Sequence, residues 1–237
     1  MVVTQRLYDH AMPLLIIAAL VWVAIHLGLA GTRLRDAVVQ RIGEGPFRGV
    51  FSLLSIAALV FLVWAWHAAP STLLWVAPNW LRWLLVLAML PAFVMFVASV
   101  SGPNPTMIGS TRDGGAQSPR GVIRVTRHPM LWSFAIWAAV HIIGNGDTAA
   151  IICFGAFLVT ALAGMPSIDA KLARRDRETW QAVSGATSIV PFVAIAQGRN
   201  RFVAGELGWL MPAIAVVAWI VMLLVHPWLF GVAAAVP

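Results

Sequence analysis

The chain has 237 residues, 60% of them hydrophobic and only 11% charged, with a mean hydropathy of +0.85 and a net charge of +7. A soluble domain carries about a quarter charged residues, so this composition excludes a water-soluble globule and points to a polytopic membrane protein. At ~20 residues per span there is room for about six helical spans, read as one all-α transmembrane bundle forming a single domain, 1–237.

The apolar runs in chain order are 12–30, 49–66, 81–99, 130–143, 149–164 and 207–230. They lack the alternation of a membrane barrel strand, and helices satisfy their own backbone in lipid, so each is read as a helix. The first resembles a secretory signal, with Arg6 ahead of it and small residues behind. Cleavage there would export the Arg33 to Arg48 segment, so an uncleaved span is expected. Cys153, the single cysteine, lies within the fifth run and cannot build a disulfide or a thiolate cluster.

The segments between the runs carry the charge. Residues 31–48, 100–129 and 166–206 hold 14 of the 16 Lys and Arg residues, leaving Arg6 and Arg82 on the other side. By the positive-inside rule the basic face is cytoplasmic and both termini are periplasmic. The excess positive charge then serves topology and the lipid bilayer, and no nucleic-acid partner is expected. Trp64, Trp66, Trp75, Trp80, Trp83 and Trp228 fall near predicted span ends, as in an aromatic belt.

Two ionisable residues sit inside the apolar runs. His26 and His141 each follow a tryptophan by four positions, Trp22 and Trp137, which places each pair on one helix face. An ionisable side chain in a span is expensive and marks a functional site by default. Neutral imidazoles are good axial ligands for haem iron, and a bundle can grip a porphyrin between two of them; the alternative is that each histidine hydrogen-bonds a neighbouring helix. Depth tests the shared-ligand idea. At ~1.5 Å per residue, His26 lies about 10 Å from Arg33 and His141 about 21 Å from Arg127. The two levels meet only if the fourth helix starts outside the membrane and its Asn145-Gly146-Asp147 turn dips inward, where Asn145 and Asp147 would line a cavity.

His128 precedes Pro129 at the mouth of the fourth helix. With Arg124 and Arg127 it forms a cationic cluster at a helix N-terminus, suited to a carboxylate or phosphate; a topogenic arginine pair before a helix-starting proline reads equally well. His10, His67 and His226 are placed at span ends as interfacial residues.

These residues carry a family resemblance. Arg127-His128-Pro129-Met130, followed by Trp137, His141 and Asn145-Gly146-Asp147, resembles the signature of the NnrU family. His26, the stretch from Ile42-Gly43-Glu44 to Phe51-Ser52-Leu53-Leu54-Ser55, the Asn104-Pro105 loop and the segment from Ser188 to Phe192 fit it too. The resemblance implies a multi-pass protein of the bacterial inner membrane, associated with expression of nitrite and nitric oxide reductases in denitrification. The family is also similar to plastid 15-cis-zeta-carotene isomerase, which implies haem b held by His26 and His141, with Trp22 and Trp137 packing on the macrocycle. The plant enzymes have a cysteine where this chain has Ala138, a departure that touches any ligand-switching step.

Three functions follow from the resemblance. One is a haem-binding accessory or sensor for denitrification, with haem or another hydrophobic small molecule as ligand. The second is a haem-dependent cis–trans isomerase of a polyene. The third is an S-adenosylmethionine-dependent methyltransferase, since Gly121-x-x-Arg124-x-x-Arg127-His128-Pro129 also resembles the cofactor motif of integral membrane methyltransferases; the tail from Lys171 to Phe192 has Glu178, Trp180 and Pro191 but lacks that group's paired glutamates and tyrosines. Arg127 and His128 are placed at an anionic group: a haem propionate, a lipid phosphate or a cofactor carboxylate.

Overall fold

The computed structural model describes residues 2–101 and 119–234, without the side chains of residues 2–10 and Thr179. Arg112, the Asn104-Pro105 loop and the His10 side chain therefore lie outside the described residues.

Those residues are predominantly helical. Helix α1 (Val2–Val23) runs on into a π-helical segment (Ala24–Leu29), followed by α2 (Arg33–Ile42), α3 (Glu44–Ala68), α4 (Asn79–Val100), a 3-10 turn (Gly121–Arg124), α5 (Pro129–Asn145), α6 (Thr148–Arg175), α7 (Arg177–Ala186), the short α8 (Val193–Ala196) and α9 (Leu210–Phe230). The all-α reading holds. Among the described residues five helices are long and apolar enough to cross a membrane: Ala11–Leu29, Glu44–Ala68, Asn79–Val100, Thr148–Arg175 and Leu210–Phe230. The remaining apolar run, α5, is 17 residues long, at the lower limit for a span.

Two differences from the apolar runs have simple causes. Helix α6 continues well past 164, through Pro166, because hydropathy marks only the lipid-compatible part of a helix while backbone bonding carries on until a cap. Segments read as turns contain α2 and α7, whose apolar residues recur at helical spacing between charges. Thr32 starts α2 by accepting the Leu34 N–H at 3.2 Å, and Gly43 stops it with φ of 87°.

Contacts divide the chain into two compact units, Met1–Ala77 with Ala138–Ser167 and Pro78–Trp137 with Ile168–Pro237. In the first, Leu15, Ala18 and Ala19 of α1, Leu62 and Ala65 of α3, and Ala149, Cys153 and Ala156 of α6 make the buried core. Small residues predominate because apolar helices in lipid gain from close packing rather than from escaping water. In the second, α4 packs on α9, and Trp219 donates its indole N–H to the Val86 carbonyl at 3.0 Å. Leu20, Leu53, Val60, Leu87, Val217 and Leu224 are among the large apolar side chains left exposed, as lipid-facing positions require.

Candidate functional site

In the first unit, α1 and α3 run antiparallel and α1 and α6 run parallel. Trp22 meets Phe157 at 4.7 Å between ring centroids, and Ser167 donates to the Gly31 carbonyl at 3.1 Å. Both contacts keep nearly the same offset along α6. The approach at Gly31 is so close that an added Cβ would press on the Leu27 carbonyl and Ser167 Oγ.

His26 lies in the π-helical segment, a widened turn that recurs at functional sites. Its ring folds back one turn onto Trp22, with centroids 4.0 Å apart and planes tilted by 30°, and meets the edge of Phe51 at 5.5 Å. His26 Nδ1–H donates to the Trp22 carbonyl at 2.8 Å. That bond selects the tautomer whose Nε2 carries a bare lone pair, and metal-ligating histidines are held in this way by a carbonyl on the other ring nitrogen.

His141 is on α5, with its ring 4.8 Å from Phe154 of α6. Phe154 and Phe157 are neighbours one turn apart on α6, so a line of aromatic contacts runs from His141 through α6 to Trp22 and His26. The helices that carry the two histidines both meet α6, through Trp22–Phe157 and His141–Phe154. No described group of three or more His, Cys, Asp or Glu residues could hold a bare metal ion. Trp137 lies one turn before His141 on α5 but belongs to the second unit.

The Asn145-Gly146-Asp147 turn is closed rather than cavity-lining. Asp147 caps α6 through the Ala150 N–H at 2.9 Å and accepts from Ser71 Oγ, while Asn145 Nδ2 bonds the His141 carbonyl at 2.8 Å. Gly146, at φ of 69°, receives Leu74 and Trp75 N–H on its carbonyl at 2.8 and 3.1 Å. A Cβ there would overlap the Trp75 carbonyl, which is why the turn needs glycine. Sequence reasoning missed this clasp and also Phe154 and Phe157, and it named Phe51 only within a family stretch, because nothing marks the role of an apolar residue until its helix has a neighbour.

The second unit contains the other candidate cluster, and here the anion is internal. Arg127 donates from Nη2 to Asp169 Oδ2 at 2.6 Å, from Nε to both carboxylate oxygens at 3.0 and 3.1 Å, and from Nη1 to the Thr187 carbonyl at 3.2 Å. His128 Nε2–H donates to Asp169 Oδ1 at 2.7 Å. All three residues are buried, and Trp180 of α7 lies under the guanidinium at 5.1 Å. Asp169, unremarked in the sequence, is the hub; it was hidden because it lies 42 residues from Arg127 along the chain. Arg124 is likewise paired, with Glu206 at 2.7 and 2.8 Å. Glu206 also accepts the Gly121 N–H at 2.7 Å, and hydrogen bonds from Arg124 and Gly121 push its carboxyl down to about 2. The donors that a methyltransferase cofactor or a haem propionate would need from Arg124 are thus engaged within the chain, and those of Arg127 meet Asp169 and Thr187.

The fold defines a class, an all-α protein with helices long and apolar enough to cross a membrane. The sequence matches the family described as NnrU protein over residues 14–234, and the chain belongs to that family. It is similar to the chloroplastic 15-cis-zeta-carotene isomerase of Arabidopsis thaliana, 27% identical over 197 residues, covering 76% of this chain and 50% of that one. It is also similar to the corresponding enzyme of Zea mays, 23% identical over 195 residues, covering 79% of this chain and 51% of that one. The chain thus spans about half the length of these relatives. No solved structure matches.

Proposed function

We propose that this NnrU-family protein binds haem b through His26 and His141 and uses it to isomerise a cis double bond in a hydrophobic polyene. The observation carrying the proposal is the fixed tautomer of His26, Nδ1–H on the Trp22 carbonyl and Nε2 bare, in a span where an unpaired imidazole is otherwise costly. Similarity to two isomerases of a carotene supports the reaction class.

The chain's own residues have separable tasks in this reading. Trp22 sets the His26 ring by its carbonyl and its stacked indole. Phe51, Phe154 and Phe157 form aromatic walls that favour a flat apolar ligand and exclude water. His141 of α5, against Phe154, would supply the second ring. Haem held by His26 and His141 would supply an iron that eases rotation about a double bond without net redox change. The Arg127–His128–Asp169 cluster ties the start of α5 to the end of α6 and is structural in this reading.

The test is the visible spectrum of protein purified in mild detergent. A Soret band with low-spin b-type features is expected, lost in His26→Ala and His141→Ala. A folded, colourless protein after expression with ample haem overturns the site. With haem loaded, conversion of a cis polyene under reducing conditions is the expected activity. Failure of turnover at full loading leaves the second reading, an accessory or sensor for nitrite and nitric oxide reductases in a bacterial inner membrane, which uses the same pocket and is supported by membership of the NnrU family.

A further inference from the structure

Helix α2 is held beside one membrane surface by its connections. Residues 30–32 join it to the end of the first candidate span, and Gly43 alone joins it to α3, the second. At ~3.5 Å per residue these links reach no further than about 14 Å and about 7 Å. Gly31, in the longer link, is tied in addition to Ser167 of α6. A helix tethered at both ends to neighbouring spans stays at the level of the lipid headgroups.

The inner side of α2 is satisfied within the chain. Arg35 is buried, with Nη1 on Asp36 at 3.3 Å, Nη2 on Glu44 and its guanidinium 5.3 Å from the centre of the Phe47 ring. Glu44 also takes Arg48 at 3.2 Å. Asp36 and Glu44, the acidic residues of segment 31–48, are thus both engaged.

The outer side carries two parallel lines of side chains at four-residue spacing. Arg33, Ala37 and Arg41 form one, and all three are exposed. Leu34, Val38 and Ile42 form the other, with Leu34 55% and Ile42 44% exposed. Neither Arg33 nor Arg41 has an ion pair or side-chain hydrogen bond among the described residues. Arg33 stands in the first turn of α2, where the helix dipole disfavours a cation, so helix stability does not account for it. A helix facing water alone has no use for the apolar line, and one sunk in lipid could not carry the basic line unpaired. Side by side they fit a bilayer interface, with guanidinium groups among phosphates and aliphatic groups among the upper acyl carbons.

We propose that α2 is a binding surface for anionic phospholipids, with Arg33 and Arg41 on their headgroup phosphates and Leu34 and Ile42 inserted beside the acyl chains. Positive charge on one side of a membrane protein sets its orientation; selectivity for anionic lipid is a further property, and α2 carries it through two residues. It holds or fails independently of haem.

The experiment uses the full chain in nanodiscs of equimolar phosphatidylglycerol and phosphatidylcholine with identical acyl chains. The complex is extracted in mild detergent, and the lipids retained per protein are identified by mass spectrometry. Phosphatidylglycerol is expected to predominate. Arg33→Gln and Arg41→Gln each lower the preference about fivefold, and the double variant at least about tenfold, with the melting midpoint unchanged. Lysine at both positions keeps the preference, and Arg201→Gln, an exposed arginine outside α2, leaves it near wild type. A nitroxide on Leu34→Cys should be reached by oxygen rather than by a water-soluble nickel chelate; wild type, whose single cysteine is buried, is the blank. Equal retention of the two lipids, a preference that survives the double variant, or an equal loss in Arg201→Gln overturns the proposal. So does a Leu34 label open to the nickel chelate, which would leave this face to water or to a protein partner.

Discussion

The two units bury different kinds of polar residue. Around Asp169 the charged groups answer one another: the carboxylate holds Arg127 and His128, and Thr187 takes a further guanidinium N–H, although His128 Nδ1, and Asn200 Oδ1 elsewhere in that unit, have no partner among the described residues. Around His26 one bond sets the ring, and then Trp22 Nε1 and Ser55 Oγ are left without partners. Charged groups that answer one another within the chain make a structural joint. The Arg-His-Pro run forms such a joint, whereas His26, marked in the sequence as a costly residue of an apolar run, is held by a single hydrogen bond to the Trp22 carbonyl.

The contrast can be broken by mutation, beginning with the joint. Asp169→Ala leaves a buried guanidinium without its counter-ion and is expected to cost about 3–5 kcal/mol, read as a large fall in the unfolding midpoint in detergent. Haem bound per folded molecule should stay near wild type; a selective loss of haem with stability intact would erase the distinction between the units. His26→Ala should do the converse, lowering haem affinity by at least about tenfold while shifting the midpoint little, as checked by haem titration followed at the Soret band.

Smaller effects sharpen the same picture. Gly146→Ala forces a Cβ against the Trp75 carbonyl at a positive φ and is expected to destabilise by about 1–3 kcal/mol, measured by thermal unfolding; the perturbation should reach His141 through Asn145 and alter the haem spectrum. The smallest effect belongs to the partly exposed Arg124–Glu206 pair. Its carboxyl is held at about 2, below the ordinary 4.5, so its contribution is fully present above pH 4.5 and is lost as pH falls through about 2. Melting curves of wild type and Glu206→Gln should therefore differ by a constant amount above pH 4.5 and converge towards pH 2. A gap that persists at pH 2 would mean that Glu206 acts by packing rather than charge.

Much of the fold was legible because lipid imposes one-dimensional rules. A span must be apolar over its length, and the runs at 49–66, 81–99 and 207–230 became helices with similar limits. His26 and Trp22 were legible as a pair because four residues on a helix is a local distance, and the family resemblance stated from their surroundings agrees with the match over residues 14–234. The Arg127–Asp169 bond and the clasp of Gly146 by the segment through Leu74 and Trp75 were not legible. Each joins residues far apart in sequence, and helical periodicity carries no information about which faces meet.

Sequence alone therefore determined that the chain is a helical membrane protein of the NnrU family with two costly histidines in its apolar runs. Those properties follow from transfer free energy and local spacing, which each residue carries with it. Tertiary structure decided that Arg127 and His128 answer to Asp169, that His26 and His141 face Phe51 and Phe154 on neighbouring helices, and that Gly146 is clasped by Leu74 and Trp75. Hydrogen-bond satisfaction is a property of pairs, and only the packed helices show which pairs are complete.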